Sequence, residues 1–515
     1  MNYDLIVTKV DESYIRIDSD DQGVIEDIHE KFSFLIKNHR FDPRVVSGKW
    51  NGIKHLFNKR NRHLEAGLLL DLIDFCEQRK YNFKVDQNLF DQDSISIEDL
   101  EHIVEDVIQP KNKQGELIKP YDYQYAALQY QLSMNRSVSI AATSSGKSLV
   151  AYLALRIYQM MSDNASKRMM LVVPTKNLVE QMFNDFKEYA QDTDWSVDQH
   201  VQKVNSDYTK FVEKNINIST WQSASKLESE FFDELSVLIV DEVHCSEAAI
   251  LNSMVKSCRR TAIRHGLTGT LDDWDCHEYS IKGIFGPIKK FVTAKELIEK
   301  GRATEVRVNM VLLKHTESDC LALSELISAT KSKNRYLLEA KFIASLKSRQ
   351  RLLYEMFLSA KGNTLILFDL KEDYGVPLYE GFKEIYEHTH LITGDVESDD
   401  RNDIKQILES ATEKQVLFAS FKTMSVGESI KNLHNLFIVS SKKSKIAVLQ
   451  ALGRLMRLHA SKNHSNLYDI VDDLSYKDNH NFSYKHSFDR LGYYDREGHK
   501  IDFLKFEMKK YVYNQ

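Results

Sequence analysis

The sequence predicts an α/β protein: two consecutive parallel-sheet domains behind a smaller α/β domain. Between residues 109 and 305, short apolar runs (SVSIAA, RMMLVVP, INIST, SVLIVDE, HGLTGT) alternate with helix-like segments. A second series (RVNMVLL, NTLILF, HLITGD, QVLFAS, NLFIVSS, YDIVDDL) fills residues 306 to 475. Buried parallel strands read as continuous apolar runs joined by helices. Ahead of both, β-like runs (DLIVTKV, SYIRID, YNFKVD) alternate with amphipathic helical ones (GVIEDIHEKFSFLIK, GLLLDLIDFCEQR). The boundaries that follow are 1–108, 109–305 and 306–515, the last ending in a polar, aromatic tail and a final helix-like stretch.

The 515 residues suit about three domains of ordinary size. Composition, 42% apolar and 28% charged, is that of a globular protein. The apolar runs are too short for a membrane span, and the N-terminus lacks a signal peptide's basic-then-apolar layout. Cys76, Cys245, Cys258, Cys276 and Cys320 are scattered without paired spacing, as expected of free thiols in a reducing, cytoplasmic setting. The net charge of −6 argues weakly against nucleic acid, but the charge is sorted. Lys37, Arg40, Arg44, Lys49, Lys54, Lys59, Arg60 and Arg62 stand against a single acid, Asp42, between residues 37 and 63. From Asp86 to Asp106 the sign reverses, with eight carboxylates and no Lys or Arg.

The stretch AATSSGKS, residues 141–148, follows a β-like run and precedes a helix-like one. That is the setting of a phosphate-binding loop, although Ala141 stands where the first glycine of the common pattern belongs. Thr143, Ser144, Ser145 and Gly146 would bring backbone N–H groups around phosphates; Lys147 would reach the β- and γ-phosphates of ATP, and Ser148 would bind Mg²⁺. Downstream, SVLIVDEVH sets Asp241 and Glu242 at the end of a strongly apolar run. A carboxylate pair there is costly unless cations hold it. Asp241 suits the Mg²⁺ shell, and Glu242 the orienting or deprotonation of water.

An A-x-T-x-S-G-K-S loop followed by D-E-x-H resembles superfamily 2 helicases, whose fold is two tandem RecA-like domains. Further stretches match the family in order. Pro174, Thr175 and Gln181 in VVPTKNLVEQ, and Thr220 and Gln222 in STWQS, match positions that touch the nucleic-acid backbone. His244 in DEVH, Thr268 and Thr270 in LTGT, and Gln450 match positions that couple hydrolysis to domain movement. Gln124 matches the adenine-reading glutamine, with Tyr121 where an arginine often stands. QALGRLMR supplies Arg454 and Arg457, three apart as on one helical face, for the arginine that reaches the γ-phosphate. Thr393, Gly394 and Gly427 match softer second-half motifs; beside Gly427, Ser429 replaces the usual acidic residue and Glu428 lies one position earlier.

RFDPRVVSGKWNGIKHLFNKRNRHLEAGLL, SVGESIKNLHNLFIV and KSKIAVLQALGRLMRLH resemble the phage UvsW-type branch of that superfamily. The resemblance implies an ATP- and Mg²⁺-dependent DNA helicase acting on Holliday junctions, forks, D-loops and R-loops in phage recombination, repair and replication restart. It also implies a monomer in the host cytoplasm, with DNA, or an RNA–DNA hybrid, as partner and no membrane. Phosphate contact by Arg44, Lys49, Lys54, Lys59, Arg60 and Arg62, with stacking by Trp50, Phe41 and Phe57, suits a strand junction. A solvated basic loop with Trp50 as core anchor fits the same residues. A double-strand translocase without strand separation, and an ATP-gated clamp, remain open alternatives.

Overall fold

The computed structural model describes residues 3–511 apart from 91–94, 162–166, 206–211, 248, 331–333, 397 and 425–429. The chain forms two compact units, Met1–Val292 and Thr293–Gln515. Each is built on a seven-stranded sheet in which every pairing is parallel.

In the first unit the spatial order is Ile288–Val292, Arg136–Ala141, Ile263–Thr268, Leu235–Asp241, Arg168–Val173, Ile216–Thr220 and Val201–Val204. The continuous apolar runs are explained by helices covering both faces, so that Met169 to Val173 and Val237 to Ile239 are fully buried. Register sets Thr268 beside Ile140 and Asp241 beside Leu267. The carboxyl ends of the three central strands therefore open on one edge, where α/β sheets bind ligands.

The small N-terminal sheet, ordered His63–Glu65, Tyr14–Asp18, Leu5–Lys9 and Phe83–Val85, has its own core of Val7, Ile15, Ile28, Phe32, Phe57 and Leu72. Phe57 is wholly buried there, so it belongs to the core and is not available for stacking on bases. This sheet docks on helix Asp275–Phe285 through two glycines. A Cβ at Gly67 would lie 2.0 Å from the Lys282 carbonyl oxygen, and one at Gly283 would lie 2.0 Å from Glu65 Oε2. Only residues without a side chain permit that approach.

The second unit orders its strands Thr389–Ile392, Val416–Ser420, Thr364–Phe368, Asn435–Ile438, His464–Asp473, Glu305–Lys314 and Lys500–Glu507. The tail departs from expectation. Its polar, aromatic part is helix Phe482–Arg496, and the final helix-like stretch is an edge strand beside Glu305–Lys314. An edge strand open to water on both faces carries no continuous apolar run, so KIDFLKFE gave no strand signal. The helix begins at Phe482 because Glu339 accepts the N–H groups of Phe482 and Ser483, each at 2.7 Å. It is pinned to the sheet by the fully buried Arg490, bidentate to Asp469 at 2.6 and 2.7 Å.

His265 is wholly buried under the phosphate-loop strand, with Nδ1 2.8 Å from Ser137 Oγ and Nε2 2.7 Å from the Tyr158 hydroxyl. Burial pushes its pKa down to about 3. The unfolded chain therefore binds a proton near pH 6.5 that the folded chain refuses, and stability falls as pH drops from 6.5 toward 3. From pH 6.5 to 5 this amounts to about 2 kcal/mol. All four tryptophans (Trp50, Trp195, Trp221 and Trp274) lie in the first unit, so their fluorescence follows its unfolding. The urea midpoint measured this way should drop on acidification, and His265→Gln should flatten the drop.

Candidate nucleotide site and nucleic-acid surface

The chain after Ala141 turns through two left-handed residues, Ser144 (φ 70°) and Gly146 (φ 80°), into helix Lys147–Met160. The first N–H groups of that helix have no intrahelical partners and face the loop, which makes an anion cradle. Lys147 Nζ lies 3.3 Å from the Ala141 carbonyl. Ser145 is buried, and its hydroxyl has no hydrogen-bond partner among the described residues. A Cβ at Gly269 would sit 3.4 Å from Thr143 Oγ1 and 3.6 Å from Lys147 Nζ. The glycine of LTGT therefore keeps the space beside the lysine clear. Tyr123 and Gln124 brace the loop from behind, donating to the Ser145 carbonyl at 3.0 and 2.9 Å. Gln124 Oε1 accepts the Tyr121 N–H at 2.8 Å. The amide expected to read adenine thus also clamps the phosphate loop.

Asp241 ends its strand buried, and Glu242 follows at φ 54°, with its N–H donating to Asp241 Oδ1 at 3.0 Å. That left-handed step is sparsely populated by residues with side chains. His244 Nδ1 lies 3.2 Å from Glu242 Oε2 and 2.9 Å from Thr268 Oγ1. Thr268 in turn donates to the Thr270 carbonyl at 2.9 Å. Burial and the neighbouring Glu242 charge push the Asp241 pKa up. Burial acts the same way on Glu242, but the His244 hydrogen bond and the Lys147 charge outweigh it and hold that carboxyl ionised. Burial disfavours a charge on His244, yet hydrogen bonds with Cys245 and Glu242 raise it to about 10. Asp241, Glu242, His244 and Thr268 therefore form one charged cluster beside Lys147.

Ser148 is not free. Its hydroxyl lies 2.9 Å from the Tyr189 hydroxyl and hydrogen-bonds Asp185, which also takes a hydrogen bond from Gln181. Nothing in the sequence marks Asp185 or Tyr189, because the helix Lys176–Tyr189 that carries them is remote in the chain. Gln181, expected at nucleic acid, faces this cluster. Thr175 and Thr220 cap helices, accepting the N–H groups of Leu178 at 3.4 Å and Ser223 at 3.3 Å. Pro174 is buried, and Gln222 is exposed.

In the second unit, Arg401 draws the Thr393–Gly394 turn together, donating to their carbonyls at 3.0 and 3.2 Å. Gln450 and Arg454 lie on helix Lys445–Leu455. Arg454 is buried and donates to the Met424 carbonyl. The helix stops at Leu455, so Arg457 lies beyond it and the expected shared helical face is not formed. Instead the Arg457 carbonyl accepts the Thr304 hydroxyl at 2.9 Å. Gly427 lies outside the described residues.

The basic window resolves into a hairpin and a loop. Strands Ser33–Leu35 and Ile53–His55 pair antiparallel and carry residues 36–52 at their tip. Trp50 is half-buried; its N–H donates to the Ile53 carbonyl at 3.0 Å, and the Arg44 guanidinium covers its ring at 4.5 Å. Trp50 therefore anchors the hairpin, and Phe41 is the exposed aromatic, 82% open to solvent. Lys49 and Arg60 are exposed, whereas Lys59 pairs with Glu26 at 3.0 Å, Lys54 donates to Ser280 Oγ at 2.8 Å, and Arg62 is half-buried. Among the described residues no helix is long and apolar enough to cross a membrane.

Residues 4–86 match the family model described as DNA helicase UvsW, N-terminal, and residues 117–273 match that of the type III restriction enzyme res subunit. The ATP-dependent DNA helicase uvsW of Enterobacteria phage T4 is 28% identical over 500 residues, covering 95% of this chain and 96% of the relative. The crystal structure of T4 UvsW matches 98% of this chain and 100% of its own, with a TM-score of 0.51 and 26% identity. The chain is similar along nearly its whole length to the UvsW-type helicases of superfamily 2. It is thus an ATP-dependent DNA helicase with two RecA-like domains behind a small N-terminal α/β domain. A fragment of a putative HsdR subunit of a type I restriction enzyme from Vibrio vulnificus, at 16% identity and a TM-score of 0.56 over 80% of this chain and 72% of its own, shares the fold.

Glu242→Gln in this helicase should retain ATP, read as the affinity for a fluorescent ATP analogue, while turnover falls by about 10² or more. Unimpaired turnover would remove Glu242 from the chemistry.

Proposed function

We propose that the helicase remodels branched DNA, with the hairpin of residues 33–55 meeting the duplex where strands part. The observation that carries this reading is Phe41, an exposed aromatic between Arg40 and Arg44 at the tip of a basic hairpin built onto the ATPase unit. A cationic surface holds phosphates, and an exposed ring stacks on a base already freed from its partner. Simple duplex offers no such base; forks, D-loops and R-loops do, and a four-way junction interrupts stacking at its branch point. The setting that fits is phage recombination, repair and replication restart in the host cytoplasm, the protein acting as a monomer.

ATP hydrolysis drives the cycle in this proposal. The loop of Thr143 to Ser148 holds the phosphates, Lys147 neutralises the β- and γ-oxygens, and Gln124 contacts the base. Glu242, held ionised, accepts a hydrogen bond from the attacking water and orients it. His244, Thr268, Thr270 and Gln450 pass the change onward. Arg454 and Arg457 stabilise charge developing at the γ-phosphate, and Gly427 contributes to nucleotide binding. The turns that carry Thr175, Thr220, Gln222, Thr393 and Gly394 line the path of the strand, while Pro174 and Gln181 support it from within.

The residues present fit a magnesium ion. Ser148 and Asp241 are hard oxygen donors of the kind Mg²⁺ accepts, beside a phosphate cradle with an unpartnered buried Ser145 hydroxyl. Bound there with ATP, the ion would neutralise phosphate charge. Ser148 must turn its hydroxyl away from Tyr189 to serve, and Asp241 must be ionised.

Unwinding of a fork, a four-way junction, an R-loop and a linear duplex, compared side by side with ATP, tests the reading. Activity on the branched substrates should exceed that on the linear duplex, and activity confined to linear duplex would overturn it. Lys49→Ala should lower the salt dependence of fork binding by roughly 0.9 in log–log slope, the value of one phosphate contact.

A further inference from the structure

The hairpin is stapled, where its first strand runs into the loop, to the segment that follows Thr270. Lys37 pairs with Asp272 at 2.5 Å, and the Trp274 indole N–H donates to the Leu35 carbonyl at 2.8 Å. One turn on, Phe34 stacks on Tyr279 with centroids 4.5 Å apart, and Lys54 bonds Ser280. Trp274 is the residue that caps helix Asp275–Phe285. From that helix His277 Nε2 donates to the His244 carbonyl at 3.0 Å. Residues 271–280 thus leave the LTGT turn, touch the hairpin, and return to the DEVH segment.

We propose that these residues form a coupling arm, with Asp272 and Trp274 as positioning residues that report DNA on the hairpin to the Glu242–His244–Thr268 cluster. The proposal rests on the reading that the hairpin meets DNA. The arm's surface contacts are individually weak. Its far end is not: Gly67 and Gly283 seat the N-terminal domain against helix Asp275–Phe285 with no room for a methyl group. Close-packed contacts of that kind transmit displacement because they leave no slack. A hairpin drawn toward phosphates therefore pulls on Leu35 and Lys37, and through Trp274 and Asp272 on the backbone that carries Thr268 and Thr270. Asp272 and Trp274 belong neither to the phosphate loop nor to the hairpin's exposed cations and Phe41, so they set the coupling without making the chemistry or the grip.

Steady-state ATPase with and without a DNA fork, together with fork binding by fluorescence anisotropy, separates these roles. Trp274→Phe keeps the ring and removes the donor; Asp272→Asn removes the ion pair. Both variants should keep DNA-free turnover and fork affinity within about twofold, while fork-stimulated kcat falls about fivefold or more. Combining Lys37→Asp with Asp272→Lys should restore stimulation above that of either reversal alone, a rescue that a merely structural role would not give. Full stimulation in both Trp274→Phe and Asp272→Asn would overturn the coupling, as would failure of the swap to rescue. Phe41→Ala distinguishes the two failures. If it leaves fork affinity unchanged, the hairpin reading itself is wrong; if it weakens binding while Trp274→Phe stimulates normally, only the coupling is wrong.

Discussion

Two adjacent carboxylates, one buried and the other largely so, at the end of a buried strand are the constraint on which the first unit is organised. Asp241 and Glu242 stand at the carboxyl end of Leu235–Asp241, where desolvation of each ion costs several kcal/mol. The neighbours are arranged to offset that cost. Lys147 comes from the phosphate loop on one adjacent element, His244 from the following turn, and Thr268 from the next strand. Parallel order is what brings them together: Ser139, Leu267 and Asp241 lie level across three paired strands. The sheet's topology and the site's charge balance are therefore one fact seen twice.

A second level of order concerns what the ATPase carries. The N-terminal domain could have been tethered by a linker, but Gly67 and Gly283 press it onto helix Asp275–Phe285. That helix begins five residues after the LTGT turn. A basic hairpin held by such an interface is part of the ATPase unit and not an accessory to it. The charge sorting visible in the sequence gains a geometric meaning here. Of the eight cations, Lys54 holds the hairpin to the helix and Lys37 to the segment before it, Lys59 pairs within its own domain, and Lys49 and Arg60 face solvent.

The nucleotide motifs were legible because their chemistry is contiguous in the chain. Residues 141–148 contain nearly the whole cradle, and Asp241, Glu242 and His244 sit within four positions. Contacts assembled from distant segments left no such trace. Asp185 and Tyr189 meet Ser148 from another helix, and Gly269 matters only because the fold brings it to Thr143 and Lys147. Burial was harder to read than chemistry. Phe57 and Phe41 look alike in the basic window, yet one is core and the other fully displayed. Spacing also misled at Arg457, since the helix that would place it beside Arg454 ends at Leu455. The last strand was hidden because edge strands need no apolar run.

The central claim is that the buried pair exists to hold a metal–nucleotide complex, with Asp241 as the ligand that makes binding metal-dependent. Calorimetric titration of ATP into the intact helicase and into Asp241→Asn, each with and without Mg²⁺, tests it directly. The account predicts that Mg²⁺ tightens ATP binding to the unaltered chain, and that Asp241→Asn abolishes the tightening while keeping metal-free affinity. An Asp241→Asn variant whose ATP affinity still rises with Mg²⁺ as in the unaltered chain would contradict it.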